Sequence, residues 1–130
     1  MRTIAEVIRW RAQRHPDLEA IWYEGRSQTY GELDRSSSEL AAGLVRDLGL
    51  VPGDRVAILD KNCPEYLELV FALDKAGLVA APLNWRLTPR EILAIVEDVR
   101  PALLVVGDEF KSHGIAAGVR MLGYRELPRG

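Results

Sequence analysis

Three short apolar runs, residues 56–59 (VAIL), 78–83 (LVAAPL) and 102–106 (ALLVV), are separated by two segments whose apolar positions recur every three to four residues. Continuous apolar runs of this length read as parallel strands buried on both faces, and the intervening periodicity reads as amphipathic helix. Residues 53–108 therefore predict a β-α-β-α-β unit. Right-handed crossovers would put both of its helices on one face of the sheet unless the strand order reverses.

Helix starts are marked by Thr3-x-x-Glu6, Thr29-x-x-Glu32 and Thr88-x-x-Glu91. Each fits a capping box, in which the Thr hydroxyl accepts the Glu N–H and the Glu carboxylate reaches back to the Thr N–H. The first helix carries Ile4, Val7 and Ile8 on one face and ends at His15-Pro16, because proline disfavours helical geometry in the residue before it. The second carries Leu33, Ser37, Leu40, Ala41, Leu44 and Leu48 in a stripe that packs on a sheet, with Gly49 as its left-handed end. Between the two, residues 20–23 and 27–30 around Glu24-Gly25 predict a small antiparallel hairpin. Val51-Pro52-Gly53-Asp54 fits a type II turn.

Within the central block, Asn62-Cys63-Pro64 opens a helix that buries Tyr66, Leu69, Val70, Leu73 and Ala76 and ends at Gly77. Pro89 takes the first position of the last boxed helix, Leu87 is placed to staple onto Ile92, and Ile92, Ile95, Val96 and Val99 form its buried face. Residues 109–118 fit a short helix weakened by Gly114 and Gly118, and residues 119–124 a fourth strand. Trp10 and Trp22 are expected to be partly buried packing residues. The fold class is α/β: a Rossmann-like layer with a mostly parallel sheet of about four strands, flanking helices and a small N-terminal β-hairpin. Residues 1–130 are expected to form a single domain with no internal boundary.

Charge and composition narrow the partners. Seventeen basic against nineteen acidic residues leave a net charge of −2, which argues against a polyanion and so against nucleic acid. The first residues lack an unbroken apolar stretch, and no run of about 18 apolar residues exists, so neither a signal peptide nor a membrane span is expected. The single cysteine, Cys63, excludes an intramolecular disulfide and suits a reducing, cytoplasmic location.

Candidate chemistry centres on Asp60-Lys61-Asn62-Cys63-Pro64, which follows a parallel strand at the end where α/β sheets bind ligands. A helix N-terminus there favours an anion, although Asn62 or Cys63 equally serves as a simple cap. Cys63 as a nucleophile would need an oriented base, and neither His15 nor His113 is placed by sequence to act as one. Asp54, Asp60, Glu65 and Glu68 read as turn and first-turn acids before they read as an acid–base group. Trp85 and Arg86, between a strand end and a helix cap, offer either a ligand contact or packing on the next helix. No glycine-rich phosphate loop follows any strand, and two distant histidines make no metal site.

The wording of these segments resembles the amino-terminal part of the AMP-forming acyl-CoA synthetases, within the adenylate-forming superfamily. The resemblance rests, in order, on Thr29-Tyr30-Gly31-Glu32-Leu33, Gly53-Asp54-Arg55-Val56-Ala57-Ile58, Asn62-x-Pro64-Glu65, Ala76-Gly77 and Pro82-Leu83-Asn84-Trp85-Arg86-Leu87-Thr88. The last of these is similar to the acyl-CoA and aryl-CoA ligase branch rather than to peptide-synthetase adenylation domains. It implies adenylation of a carboxylate by ATP with Mg²⁺, then transfer to the thiol of coenzyme A.

Members of that family carry their phosphate loop, nucleotide contacts and catalytic lysine in later sequence. The resemblance therefore assigns no catalytic, cofactor-binding or metal residue here, and it implies a chain inactive by itself. The expected partner is the remainder of a ligase chain, and the isolated chain is expected to form a homo-oligomer through apolar surface left uncovered. Two other readings stay open: a stand-alone interaction module with a ligase-like fold, and a small flavodoxin-like nucleotide binder.

Overall fold

Threonine side chains set two of the helix starts with a closed reciprocal box. The Thr29 hydroxyl accepts the Glu32 N–H at 3.1 Å while Glu32 accepts the Thr29 N–H at 3.0 Å, and Thr88 and Glu91 repeat the pair at 3.2 and 3.0 Å. At Thr3 the described contact is the first of the two, from the Glu6 N–H. Hydrogen bonds from the Thr29 and Thr88 backbones hold the Glu32 and Glu91 carboxyls below the usual range. Because the folded values are depressed, this contribution is present at neutral pH and is lost as pH falls through them.

The computed structural model describes residues 3–113 and 118–130. Helix α1 (Ile4–Arg14) leads into a hairpin of β1 (Glu19–Tyr23) and β2 (Arg26–Thr29), then α2 (Tyr30–Arg46). The parallel unit follows as β3 (Arg55–Leu59), α3 (Pro64–Lys75), β4 (Val79–Pro82), α4 (Pro89–Val99) and β5 (Leu103–Val106). A 3-10 turn at Asp108–His113, the two-residue strand β6 (Met121–Leu122) and a second 3-10 turn at Tyr124–Glu126 complete it. The four parallel strands lie in the order β4-β3-β5-β6.

That order decides where the helices go. From β3 the chain moves out to β4 and then back across to β5, so the direction of winding reverses and the two crossover helices cover opposite faces. Val56 and Ile58 of β3, with Leu103 and Val105 of β5, pack on Leu69 and Leu73 of α3 and on Leu40 and Leu44 of α2. Ala57 and Leu59, with Leu104 and Val106, pack on Ile92 and Val96 of α4. The period-two alternation of a strand thus feeds two cores from one apolar run. Leu87 joins the cluster around Ile92, as a hydrophobic staple requires.

Residues 3–29 pack outside α2 and α3. Ala5 and Ile8 are the buried residues of α1, while Ile4 and Val7 are exposed, which corrects the expected face. The reason is a docking bond: the Ala5 N–H donates to Asp74 at 2.9 Å and turns the small side of the helix inward. The hairpin turns at Glu24 and Gly25, both at positive φ, a conformation matched to the twist of a two-residue connection. Trp22 is 67% exposed, against the expectation of partial burial. An irregularity in register between Glu19 and Ile21 lets Ala20 and Ile21 both pack inward, and Trp22 then falls on the outer side.

Two further differences concern the C-terminal third. Of residues 119–124 only Met121–Leu122 is strand, and the helix expected over 109–118 is a 3-10 turn ending at His113. Its continuation at residues 114–117 lies outside the described residues. The left-handed Gly49, the Gly53 of the type II turn at φ 90° and the left-handed Gly77 stand where the sequence places them.

Helices α2 and α3 are tied by one cation. Lys75 Nζ, its side chain 5% exposed, donates to Asp34 Oδ1 at 2.7 Å, Asp34 O at 2.8 Å and Ser38 Oγ at 2.8 Å. Three donors meet three acceptors, the condition under which a buried ammonium is tolerated.

The last residues strap across α2. Leu127 is buried in the α2–α3 core, Gly130 N–H donates to Glu39 O at 2.8 Å, and Arg129 reaches Ser36 O at 3.2 Å. Gly43 permits this because a Cβ there would run into the Pro128 carbonyl. Gly43→Ala gains about 1 kcal/mol in helix propensity, yet it must displace backbone, which costs about 1–3 kcal/mol. Urea denaturation should therefore show a net loss of stability, and a midpoint at or above that of the wild type would contradict the strap.

Candidate functional site

In open α/β sheets ligands enter beyond the carboxyl ends of the strands, where the winding reverses. Here that point lies between β3 and β5, and Asp60 and Gly107 are the first residues beyond the two strands. The Gly107 N–H donates to Leu59 O at 3.0 Å, and a side chain on Gly107 would collide with the Asp60 carboxyl group. Asp60 Oδ2 accepts the Tyr124 hydroxyl at 3.0 Å and the Cys63 thiol at 3.4 Å, and Oδ1 accepts the Lys61 N–H at 2.8 Å. These hydrogen-bonded groups form one wall of the crevice. Asp60, Cys63 and Tyr124 line a cavity of about 440 Å³ together with Glu65, Asp108, Lys111, Arg125 and Glu126, whose mixed signs favour no particular ion.

Cys63 occupies the N-cap position of α3, but its side chain makes no capping hydrogen bond. Neither Asn62 nor Cys63 therefore caps in the manner expected. Pro64, at the first helical position, has no N–H to satisfy. Burial would raise the Glu65 carboxyl, but its own backbone N–H and Arg26, 3.2 Å away, outweigh this and hold it low. Burial and the Asp60 charge push the Cys63 thiol up to about 11. Burial, then the neighbouring Cys63 and Asp60, also drive the Tyr124 hydroxyl far upward. A thiol held protonated at neutral pH is a weak nucleophile, because the thiolate is the reacting form.

The other candidates disperse. Asp54 lies before β3 and accepts the Val51 N–H at 2.9 Å, so the length of a five-residue strand, about 16 Å, separates it from Asp60. Glu68 Oε1 lies 2.6 Å from Arg129, an ion pair whose alignment falls short of a hydrogen bond. His15 caps the end of α1, and His113 stands edge-on to Phe110 at 5.3 Å. Neither is among the partners of Cys63. Among the described residues no group of three or more His, Cys, Asp or Glu is arranged to hold a metal. The acids near the switch point are engaged: Asp60 with Tyr124, Glu65 with Arg26, Glu68 with Arg129 and Asp108 with Lys111. This set leaves no cluster of free carboxylates that fits Mg²⁺ in the crevice.

Trp85 and Arg86 fare differently. Trp85 packs on Phe110 with ring centroids 6.0 Å apart, which realises the packing alternative. Its indole is also flanked by two cations, with Lys61 Nζ 4.6 Å and the Arg86 guanidinium 4.4 Å from the ring centroid. Asn84 Oδ1 accepts the Arg86 N–H at 3.0 Å, fixing the loop by a side-chain turn. Lys61 pairs with Glu109 at 3.0 Å, whereas Arg86 has no carboxylate partner among the described residues. These groups border an open hollow of about 440 Å³ beyond β3 and β4. Sequence reading named Lys61 within the Asp60–Pro64 turn and singled out Trp85 and Arg86, but missed Gly107 and Tyr124. Only the position of Gly107, directly after β5, gave any sign of them.

A strand order that reverses beside β3, with the boxed helices and N-terminal hairpin, defines a doubly wound α/β layer of the kind found in adenylate-forming enzymes. The chain belongs to the AMP-binding enzyme family, whose model matches residues 8–126. Fatty acid–[acyl-carrier-protein] ligase ScoC of Streptomyces coeruleorubidus is 41% identical over 85% of this chain and 21% of its own length. A feruloyl-CoA synthase of an Amycolatopsis species is 43% identical over 73% of this chain and 19% of its own length. A crystal structure described as a long-chain-fatty-acid CoA ligase, from Rhodopseudomonas palustris, superposes with a TM-score of 0.88 at 30% identity, covering 97% of this chain and 36% of that one. The chain thus spans about a fifth of the length of the curated relatives it matches. No helix among the described residues is long and apolar enough to cross a membrane.

The Cys63 environment makes its alkylation a readout of the switch point. With the thiol near 11, the rate with iodoacetamide should rise about tenfold per pH unit from pH 7 to 10. Asp60→Asn removes a charge that opposes the thiolate and should speed alkylation at pH 8. A rate that levels off near pH 8.5 in the folded wild type would show that burial and Asp60 do not hold the thiol protonated as described.

Proposed function

We propose that residues 1–130 are the N-terminal structural portion of the large domain of an ATP-dependent, AMP-forming acid–thiol ligase, folded as one domain and acting in the cytoplasm. The observation that carries this reading is the family match over residues 8–126 in a chain spanning a fifth of its relatives. A switch point whose acids already have partners, Asp60 with Tyr124 and Asp108 with Lys111, supports it. In the whole enzyme a carboxylate oxygen attacks the α-phosphorus of ATP and pyrophosphate leaves. A thiol then attacks the acyl carbon and AMP leaves. ATP, Mg²⁺ and coenzyme A belong to that enzyme, and the substrate is a fatty or other carboxylic acid.

The contribution of this segment is support: two apolar layers hold β3 and β5 rigid, and neither reacting groups nor a phosphate loop lie on them. An outward-facing cationic feature of it is the Lys61–Trp85–Arg86 edge, where Arg86 has no carboxylate partner among the described residues and can meet an anionic group.

Three measurements test the proposal. Purified residues 1–130 with ATP, Mg²⁺, coenzyme A and a panel of fatty and aryl acids should release no pyrophosphate, and the protein containing the following chain should release it. Release by the short chain alone would overturn the assignment. In the longer protein, Arg86→Ala should raise KM for ATP or coenzyme A several-fold while leaving KM for the acid and thermal stability unchanged. An unchanged KM for both cosubstrates would remove Arg86 from ligand contact. The isolated chain should self-associate, and a monomer by light scattering across a wide concentration range would refute that.

A further inference from the structure

We draw no further inference here: the strongest candidate, the apolar groove between the hairpin and α3 bordered by Trp22, Tyr66, Leu67 and Val70, carries nothing because no feature of the structure shows what covers it.

Discussion

Two-sided burial of β3 is the constraint on which the rest of the molecule depends. Val56, Ala57, Ile58 and Leu59 are all fully enclosed, so beyond Arg55 the strand has no outward position and each neighbouring element must supply apolar surface to one face or the other. Transfer of a buried aliphatic side chain from water contributes about 1.5–3 kcal/mol, and β3 and β5 concentrate such side chains in the middle of the fold. The helices α2 and α3 on one side and α4 on the other follow from this need. So does the reversed strand order, since crossovers of one hand to strands on opposite sides of β3 deliver helices to opposite faces.

The same reversal creates a place where a ligand would normally sit, and this chain lines it with its own hydrogen-bonded groups. Gly107 allows the backbone beyond β5 to close against Asp60, and Asp60 in turn gathers the Tyr124 hydroxyl and the Cys63 thiol. Asp60 is half-buried, and these donors satisfy it where water is partly excluded. The hydrogen bonds therefore join the last turn of the chain to the end of the central strand. Cationic character appears instead one strand over, beside Trp85, where Lys61 and Arg86 share an indole face and edge. The switch-point cavity and the cationic edge thus lie on either side of Asp60, which borders both.

Much of the fold could be read from residues alone because local and global signals agree. Thr29 and Thr88 begin their helices with the bonds their spacing implies, and the stripe from Leu33 to Leu44 is buried as its period requires. What sequence could not show was tertiary. Period alone favours Ile4 and Val7 over Ala5, but a single bond to Asp74, distant in sequence, rotates α1 the other way. Alternation cannot anticipate the irregularity at Glu19–Ile21 that leaves Trp22 outside. The crevice was legible as a location, through Asp60 to Pro64, but its full lining was not. That lining includes Tyr124, which is 64 residues away from Asp60 in sequence. Family likeness supplied the remaining step, and it did so through strand ends and caps rather than reacting groups.

The placement of β3 also bears on how the molecule opens. Its backbone is hydrogen-bonded along both edges, to β4 and to β5, and both of its faces are covered. Local fluctuations free an amide only where a flank or a face can peel away. The hairpin and the 3-10 turns have such a free side, while Ile58 has none. Exchange of the Ile58 amide with deuterated solvent thus requires the whole layer to come apart, which makes that one proton a gauge of global unfolding.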